Sequence, residues 1–476
     1  MYGSEQTKTA AFEVGRLDAV AQRALVERGE VKATELVEWA RQRADALNPQ
    51  LNAIITPMDE AGDGGVPMVL KDLVVEVPGV PFAEGSRFVK GTVSEFESEL
   101  VARYRRAGLV AIGKTNTPEF GMAPHCEPAA FGATHNPWSL GHTTAGSSGG
   151  SAAAVASGIV PIGHASDAGG SIRYPASCCA LFGLKPTRAR NPMGPEYGDA
   201  LGGAAVEHVL TRTVRDSAFA LDATSGSDKG DPYCAPVNPR PFVDEVGAEP
   251  GQLRVAYSRT SAEGTDLHPD CLAALDATLA LLESLGHRVT EAPFTQIDER
   301  TGSAIGTLIN GSTAWIAAYW IRRLGREPQP GELEPSTVAM IDAGRRTSAA
   351  DWLIAQDDIN AFTRRSARFF DDYDVFLCPT VTTPPLALGL MSAGTEDEPF
   401  KGLAEAGTMI RNAGVIANIT GNPAMSVPLF WNGEGLPIGS HFLAPFGGEA
   451  TVLRLASQLE TAQPWADKWP GVSVGA

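Results

Sequence analysis

Short apolar runs that alternate with amphipathic helical stretches constrain the fold of this chain more than any other feature. Runs typical of buried strands occur at 66–70, 109–112, 160–164, 253–257 and 375–377. Helical patterns occupy residues 17–27, 34–47, 97–106, 151–157 and 271–285. Helices that separate strands in this way predict an α/β fold, a large twisted mixed β-sheet covered by helices on both faces.

The chain is predicted to form a single domain over residues 1–476. Its length would fit several average domains or one large α/β domain. No repeat of 20–50 residues divides it. The second helix is expected to end at Asn48-Pro49. The stretch 325–350, rich in Pro, Glu and Gly, is predicted to be an exposed excursion and not a linker, because a helical pattern resumes at Trp352.

Charge and cysteine content exclude several classes of protein. A formal net charge of -18 argues against a nucleic-acid or anionic-membrane partner. No apolar run is long enough to span a membrane, and the N-terminus lacks the features of a secretory signal. Six cysteines without C-x-x-C spacing, and histidines without H-E-x-x-H, favour a reduced cytoplasmic protein with no metal and no cofactor.

A glycine- and serine-rich stretch, Thr143–Gly158, reads TTAGSSGGSAAAVASG. On its own it is typical of a flexible linker. It leads, however, directly into a helical run that starts at Ser151, and backbone N–H groups at a helix N-terminus stabilise negative charge. A phosphate-binding loop would need Gly-Lys-Ser/Thr at its end, which is missing.

A second element, SDAGGSIR at 166–173, places two glycines before Ser171. Glycines let successive backbone N–H groups converge on one point, as acyl transfer requires for its oxyanion. An ordinary glycine turn is the alternative interpretation. A serine nucleophile also needs a base, and no histidine lies beside either serine element. Lys71 ends the apolar run MVLK, where burial would lower its pKa, although Lys71-Asp72 also fits a surface ion pair.

Together these elements resemble the amidase signature family over nearly the whole chain, from about residue 10 to Trp465. The matching blocks are VPMVLKDL at 66–73, GKTNTPEFG at 113–121, FGATHNPW at 131–138, the Gly-Ser string at 146–151, SDAGGSIRYPAS at 166–177, FGLKPTRAR at 182–190 and TGNPAMSVPLFWNGEGLPIG at 420–439. The resemblance implies a catalytic core at about 60–225 and 405–465, and a variable substrate-covering region at about 260–400.

The resemblance also assigns roles to residues. It makes Ser171 the acylated nucleophile, Ser147 a bridging serine on a cis peptide, and Lys71 the general base. The implied oxyanion donors are the backbone N–H groups of Ala168, Gly169, Gly170 and Ser171. The supporting residues are Ser148, Asp167 and Arg173.

Departures from the family pattern concern the substrate pocket. Ala168 stands where threonine is frequent, and Tyr174 where a branched aliphatic is common. Pro124-His125-Cys126 departs from a stretch that lines the pocket in the family. The pocket candidates are Met122, His125, Cys126 and Tyr174, with residues 307–315 as a candidate cover.

The implied function is that of a stand-alone amidohydrolase acting on a small-molecule amide, anilide or carbamate (urethane). EYGDALGG at 196–203 resembles the branch of the family with nylon-oligomer (aminohexanoate cyclic-dimer) hydrolases and enzymes that cleave aryl amides and carbamates. Two alternatives stay open: the A subunit of a glutamine-dependent tRNA amidotransferase, and a catalytically silent binding protein on the same fold. The oligomeric state, including a homodimer, is also left open.

Overall fold

The alternating sequence pattern becomes a series of strands and helices in the computed structural model of the protein, which describes residues 5–59, 64–392, 394–412 and 414–476. The strands are β1 Ile54–Pro57, β2 Val66–Lys71, β3 Pro81–Phe82, β4 Thr92–Val93, β5 Leu109–Thr115, β6 His135–Asn136, β7 Ser139–Thr143, β8 Ile162–Asp167, β9 Phe182–Lys185, β10 Val206–Thr211, β11 Arg254–Tyr257, β12 Arg288–Glu291, β13 Val375–Pro379, β14 Ala424–Trp431 and β15 Pro437–Leu443. The helices are α1 Glu5–Gly15, α2 Ala19–Glu27, α3 Ala33–Leu51, α4 Glu99–Arg106, α5 Gly149–Ala156, α6 Arg173–Cys178, α7 Val214–Thr224, α8 Pro269–Ser284, α9 Glu299–Leu324, α10 Pro335–Arg345, α11 Ala349–Ala367, α12 Phe369–Asp372, α13 Lys401–Ile410, α14 Gly414–Thr420 and α15 Glu449–Ala462.

Eleven of these strands form one mixed sheet. Their order is β1, β5, β2, β8, β10, β9, β14, β15, β13, β11, β12. Strand β2 runs parallel to β5 and β8, and β11 runs parallel to β12 and β13. The pairs from β8 through β10, β9, β14 and β15 to β13 are antiparallel. The predicted α/β fold with a large mixed sheet is therefore confirmed.

Strand β2 is buried along its whole length because helices cover both faces of the sheet there. Along β2, Val69 belongs to a buried cluster with α3 and α5. Its neighbours Met68 and Leu70 belong to a different cluster, with α4 and α7. Successive side chains of a strand point to opposite faces, so every position of β2 is buried. This explains why the first five residues of β2, Val66–Leu70, lack the polar alternation of a half-exposed sheet.

One edge of the sheet positions the residues that the serine and lysine motifs single out. The parallel strands β2 and β8 end side by side, at Lys71 and Asp167. The antiparallel strand β10 begins at the same edge, where Val206 pairs with Asp167. The fully buried helix α5 packs on these strands and follows Ser147 and Ser148 in the chain.

Two local expectations were wrong. Helix α3 continues through Pro49 to Leu51, since Asn48 accepts hydrogen bonds from the backbone beyond the helix and Asn52 ends it in the left-handed conformation. The stretch 325–350 contains helix α10, because Pro335 stands at its first turn, where proline is well tolerated. Gly344 lets α10 pack closely on α9, with no room for a Cβ atom beside the Asn310 carbonyl.

Composition also raised the questions of membranes, metals and disulfides. None of the described helices combines the length and apolarity that a membrane crossing demands. Across the described residues, no three His, Cys, Asp or Glu side chains converge as a metal site requires. None of the six cysteines forms a disulfide, and Cys234 is the exposed one. The thiols therefore add no covalent cross-link to the fold.

Candidate active site

Lys71 lies at the end of β2 with no exposed surface. Its Nζ atom is 2.7 Å from Ser147 Oγ and 2.7 Å from Ser166 Oγ. The lysine therefore does not form the surface ion pair with Asp72 that its sequence neighbourhood also permits. Asp72 lies instead 3.6 Å from the buried Lys114 ammonium.

The surroundings of Lys71 change its acidity. Burial lowers the pKa of its ammonium group to about 8, while the negative charges of Glu207 and Asp167 act in the opposite direction. A free lysine has its pKa near 10.4 and is almost fully protonated at neutral pH. The buried amine is therefore substantially neutral at mildly alkaline pH, which a proton acceptor requires.

The Gly-Ser string around Ser147 is packed on all sides. The peptide bond between Gly146 and Ser147 is cis. A Cβ atom on Gly146 would lie 2.1 Å from the His125 carbonyl oxygen, and one on Gly150 would lie 2.5 Å from the Asn116 nitrogen. Each glycine therefore permits a close backbone approach. The linker interpretation does not hold, since this string is a buried turn that leads into α5.

Ser171 lies on the turn between β8 and α6, and Asp167 organises that turn. Asp167 Oδ1 accepts from the Gly170 backbone at 2.7 Å, and Oδ2 accepts from the Ile172 backbone at 3.1 Å. Arg173 donates to both carboxylate oxygens at 2.9 Å. Burial alone would raise the pKa of Asp167, but the Arg173 guanidinium outweighs it and holds that pKa well below its usual range. The turn is therefore fixed by a buried ion pair.

Ser148 joins the two serine elements. Its backbone N–H donates to the Ser171 carbonyl at 3.3 Å, and its hydroxyl donates to the Ser166 carbonyl at 3.2 Å. The Ser166 N–H donates back to Ser148 Oγ at 3.3 Å. These bonds hold the Ser147 turn against the Ser171 turn, and both serines line the same cavity.

Three of the four predicted oxyanion donors are unengaged. The backbone N–H groups of Ala168, Gly169 and Ser171 donate to no acceptor in the described part of the chain. Gly170 differs, because its N–H is already bonded to Asp167. Gly170 would have to give up this bond before it could donate to an oxyanion. Its role is steric, since a Cβ atom there would lie 2.1 Å from the Tyr174 ring.

A cavity of about 540 Å³ opens over Ser147 and Ser171. Of the four pocket candidates, Met122 and Tyr174 line it. His125 and Cys126 do not; they lie buried behind the Gly-Ser string, where Cys126 packs against Gly149. Burial raises the pKa of the Cys126 thiol to about 11, so that it stays protonated and apolar.

Sequence reasoning missed several residues of this cavity. The helical side is lined by apolar residues of α9, namely Ile305, Ile309, Trp315 and Ile316, and by Ile410 and Val415 from the α13–α14 segment. Of these, Ile309 and Trp315 fall in the candidate cover 307–315, and Ile305 and Ile316 fall in the wider region 260–400 expected to cover the substrate. Ile410 and Val415 lie outside both. Ser166 and Glu207 were also missed. Ser166 is the first residue of the motif SDAGGS, so its position next to Asp167 could have indicated a place in the site. Glu207 lies in β10 and belongs to no motif that would have indicated it.

Comparisons with known proteins agree with this geometry. The family model for amidases matches residues 28–453. A 6-aminohexanoate-cyclic-dimer hydrolase of Paenarthrobacter ureafaciens is 36% identical over 473 residues, which cover 95% of this chain and 96% of that protein.

Solved structures agree as well. The structure of a 6-aminohexanoate cyclic dimer hydrolase complexed with substrate superposes with a TM-score of 0.91 at 34% identity, covering 96% of this chain and 99% of that one. A bacterial aryl acylamidase of the amidase signature family shares the fold at a TM-score of 0.84 and 23% identity, covering 94% and 97%. The chain therefore belongs to the amidase signature family, and its chemistry is the hydrolysis of amide C–N bonds.

Proposed function

We propose that the protein hydrolyses amides, anilides and aryl carbamates through an acyl-enzyme on Ser171, with Ser147 and Lys71 as its proton relay. One observation carries the proposal: Lys71 Nζ lies 2.7 Å from Ser147 Oγ, on the wall of a cavity that Ser171 also lines. A buried amine thus contacts a hydroxyl that lines the same cavity as the candidate nucleophile. No ionised histidine is needed for the chemistry.

The first half of the reaction forms the acyl-enzyme. Ser171 Oγ attacks the substrate carbonyl carbon and forms the new C–O bond, while its proton passes to Ser147 and the proton of Ser147 passes to neutral Lys71. The carbonyl oxygen becomes an oxyanion, for which the free N–H groups of Ala168, Gly169 and Ser171 are the candidate donors. When the C–N bond breaks, the relayed proton returns to the leaving nitrogen.

The second half releases the acid. A water molecule attacks the acyl carbon and loses its proton through the same relay to Lys71. The C–O bond to Ser171 then breaks, and the proton returns to Ser171 Oγ. The relay ends as it began, so one amide and one water give one acid and one amine.

The cavity supports uncharged, apolar substrates. Leu73, Phe120 and Met122 form one wall and the isoleucines of α9 another. Such a lining favours aliphatic or aromatic groups on both sides of the scissile bond. A carbamate carbonyl needs the same attack and the same oxyanion donors as an amide, so aryl carbamates are included in the proposed range. Turnover of carbamates would make the protein a urethanase as well as an amidase.

The thiols support a compartment for this enzyme. Cys178 and Cys179 are adjacent in the chain, and none of the six cysteines forms a disulfide. Free cysteines are usual where glutathione and thioredoxin keep thiols reduced. We therefore place the enzyme in the cytoplasm as part of the proposal.

A labelling experiment tests the nucleophile. Wild-type protein, Ser171→Ala and Ser366→Ala are incubated with a fluorophosphonate probe, and the modified peptide is mapped by mass spectrometry. Ser366 is a buried serine of α11 outside the cavity, so that its variant controls for the loss of a buried hydroxyl. We expect one adduct on Ser171 in wild type and Ser366→Ala, and no adduct in Ser171→Ala.

The same proteins are then screened against anilides, short amides, aryl carbamates and glutamine. Turnover of the first three that vanishes with Ser171 supports the proposal. Release of ammonia from glutamine alone would indicate an amidotransferase subunit. Folded protein without adduct or turnover would indicate a catalytically silent binding protein.

A further inference from the structure

Glu207 is a buried acid of the cavity that the proposed relay does not use. It lies on β10 with 1% of its surface exposed, and it lines the cavity with Ser147 and Ser171. In the antiparallel pair of β10 and β8 it stands directly opposite Ser166. Opposite residues of such a pair lie on the same face of the sheet. Glu207 therefore shares a face with the serine whose hydroxyl accepts a hydrogen bond from Lys71.

Only one oxygen of this carboxylate has a described partner. His164 Nε2 lies 2.7 Å from Glu207 Oε2 and donates to it when Glu207 is ionised. Burial holds the pKa of His164 well below its usual value, so the imidazole is a neutral donor and forms no ion pair. Glu207 Oε1 is buried and has no hydrogen-bond partner among the described residues. A buried carboxylate with one neutral donor is costly unless a positive charge lies near it.

Lys71, for its part, has no described carboxylate partner. Its described partners are the hydroxyls of Ser147 and Ser166, and no carboxylate of the described chain lies within ion-pair distance of it. When Lys71 takes the proton of Ser147 it becomes an ammonium ion with no exposed surface. Hydroxyl oxygens solvate such an ion only in part, so the transition state needs a nearby negative charge.

The other acids around Lys71 are already paired. The titratable or charged groups facing Lys71 and Glu207 are Tyr104 of α4, Lys114 of β5, Cys126, and His164 and Asp167 of β8. Asp167 is held by Arg173, and the charge of Lys114 faces Asp72. The Cys126 thiol is protonated. Glu207 is left as the acid without a described cationic contact.

We propose that Glu207 is a positioning residue that supplies the buried counter-charge for the ammonium group formed on Lys71 during proton relay. The inference rests on the relay proposed above. His164 holds one oxygen of the carboxylate, and the charge on Lys71 favours its ionised form. Glu207 would thus share one part of the role of the aspartate in a Ser-His-Asp triad, the electrostatic stabilisation of the protonated base, but without a direct hydrogen bond to it.

The pKa directions are consistent with this role. Burial raises the pKa of Glu207 to about 8, and burial lowers that of Lys71 to about 8. On the alkaline side of that range the site holds a carboxylate near a neutral amine. This is the state in which Lys71 accepts a proton and Glu207 stabilises the product ion.

The test is a pH profile of kcat/KM for wild type, Glu207→Gln, Glu207→Asp and Glu119→Gln on one anilide. Without the carboxylate the ammonium of Lys71 loses its proton more easily. We therefore expect the acid limb of Glu207→Gln to move to lower pH by about one unit. The alkaline plateau should fall about three- to tenfold, because the transition-state ammonium is less stabilised. Glu207→Asp keeps the charge at a greater distance and should show smaller changes in the same directions.

Glu119→Gln is the matched control, since Glu119 is a buried acid outside the cavity whose carboxylate accepts from Ser86. Its acid limb should coincide with that of wild type. If the plateau of Glu207→Gln falls but its limb stays in place, Glu207 is only structural and the inference is overturned. Should Glu207→Gln not fold, an unmoved limb in Glu207→Asp overturns it equally. Failure of the relay itself is recognised separately, as absence of the Ser171 adduct in wild type.

Discussion

The two sides of the active-site cavity differ in the kind of contact that holds them together: one side is polar and the other is apolar. The polar floor comprises the cavity-lining residues Ser147, Ser166, Asp167 and Ser171, together with Lys71, which is not in the lining but donates to Ser147 and Ser166. The apolar roof comprises Ile305, Ile309, Trp315, Ile316 and Ile410, from helices outside the sheet. Both sides touch the same substrate space, yet they differ in what holds them and in what a substitution does to them.

In the floor, nearly every polar group is buried and has a specific partner. Asp167 alone accepts from two backbone N–H groups, from Arg173 and from the side chain of Asn418. A buried polar atom that loses its partner costs about 1–3 kcal/mol, and a buried charge costs more. The floor is therefore intolerant of change, and the reaction chemistry depends on it.

In the roof, contacts are between apolar surfaces without direction. Trp315 is 41% exposed and packs edge-on against Tyr197 at 5.7 Å between ring centroids. Helix α9 is anchored near its C-terminal end, where Arg323 donates to both oxygens of Glu76 and Trp320 donates to Glu84. The residues that face the substrate are therefore free to vary in volume while the helix stays in place. The comparison teaches that chemistry and specificity are carried by separable parts.

Replacing Lys71 should have the largest effect on activity, because the floor contains no second base. We expect Lys71→Met to lower kcat by about 10³- to 10⁴-fold, the upper range for loss of a general base. Lys71→Arg keeps a cation that does not lose its proton, and it should be equally inactive. Steady-state kinetics with circular dichroism as a check of folding measures this. An active Lys71→Arg would show that the charge of Lys71, and not its neutral amine, serves the reaction.

Breaking the ion pair under the Ser171 turn should come next. Asp167→Asn leaves Arg173 buried without its counter-ion, and we expect a loss of about 3–5 kcal/mol in the free energy of unfolding. Urea denaturation measures it. The matched control is Asp276→Asn, which removes the acid of the exposed Arg259–Asp276 pair and should cost about 1 kcal/mol or less. Equal losses in the two variants would show that the floor is not the rigid part of the site.

The same contrast explains what the sequence reveals in advance. Lys71, Ser147 and Ser171 stand in short contiguous motifs, because each must lie on a tight turn or at a strand end with fixed neighbours. The mixed sheet follows from the apolar runs that form β2, β5 and β8. The roof residues have no local signal, since any apolar side chain at helical spacing serves equally well for packing and for lining a pocket. The sequence also gives no indication of a role for Glu207, since its position near the site depends on the strand register that places it opposite Ser166.

The roof should show its smallest but most selective effect at Trp315. Trp315→Ala enlarges the active-site cavity. Trp315 and Leu201 also line a second, neighbouring cavity. We expect kcat/KM for a bulky anilide to fall about tenfold, because the aromatic ring of the substrate loses its apolar contact with the indole of Trp315. For acetamide, which is too small to reach the roof, kcat/KM should stay within about twofold of wild type. Parallel kinetics on the two substrates measures the ratio.

Trp352→Ala is the matched control, because Trp352 is a half-buried tryptophan of the neighbouring helix α11 and lies outside the active-site cavity. It removes the same side chain and should leave the ratio of the two substrates unchanged. If Trp315→Ala lowered both substrates equally, the roof would be acting on the reaction and not on substrate choice. Catalysis and substrate choice would then not be carried by separate parts of the cavity, since a loss common to both substrates means that α9 helps to hold Ser147 and Ser171 in place.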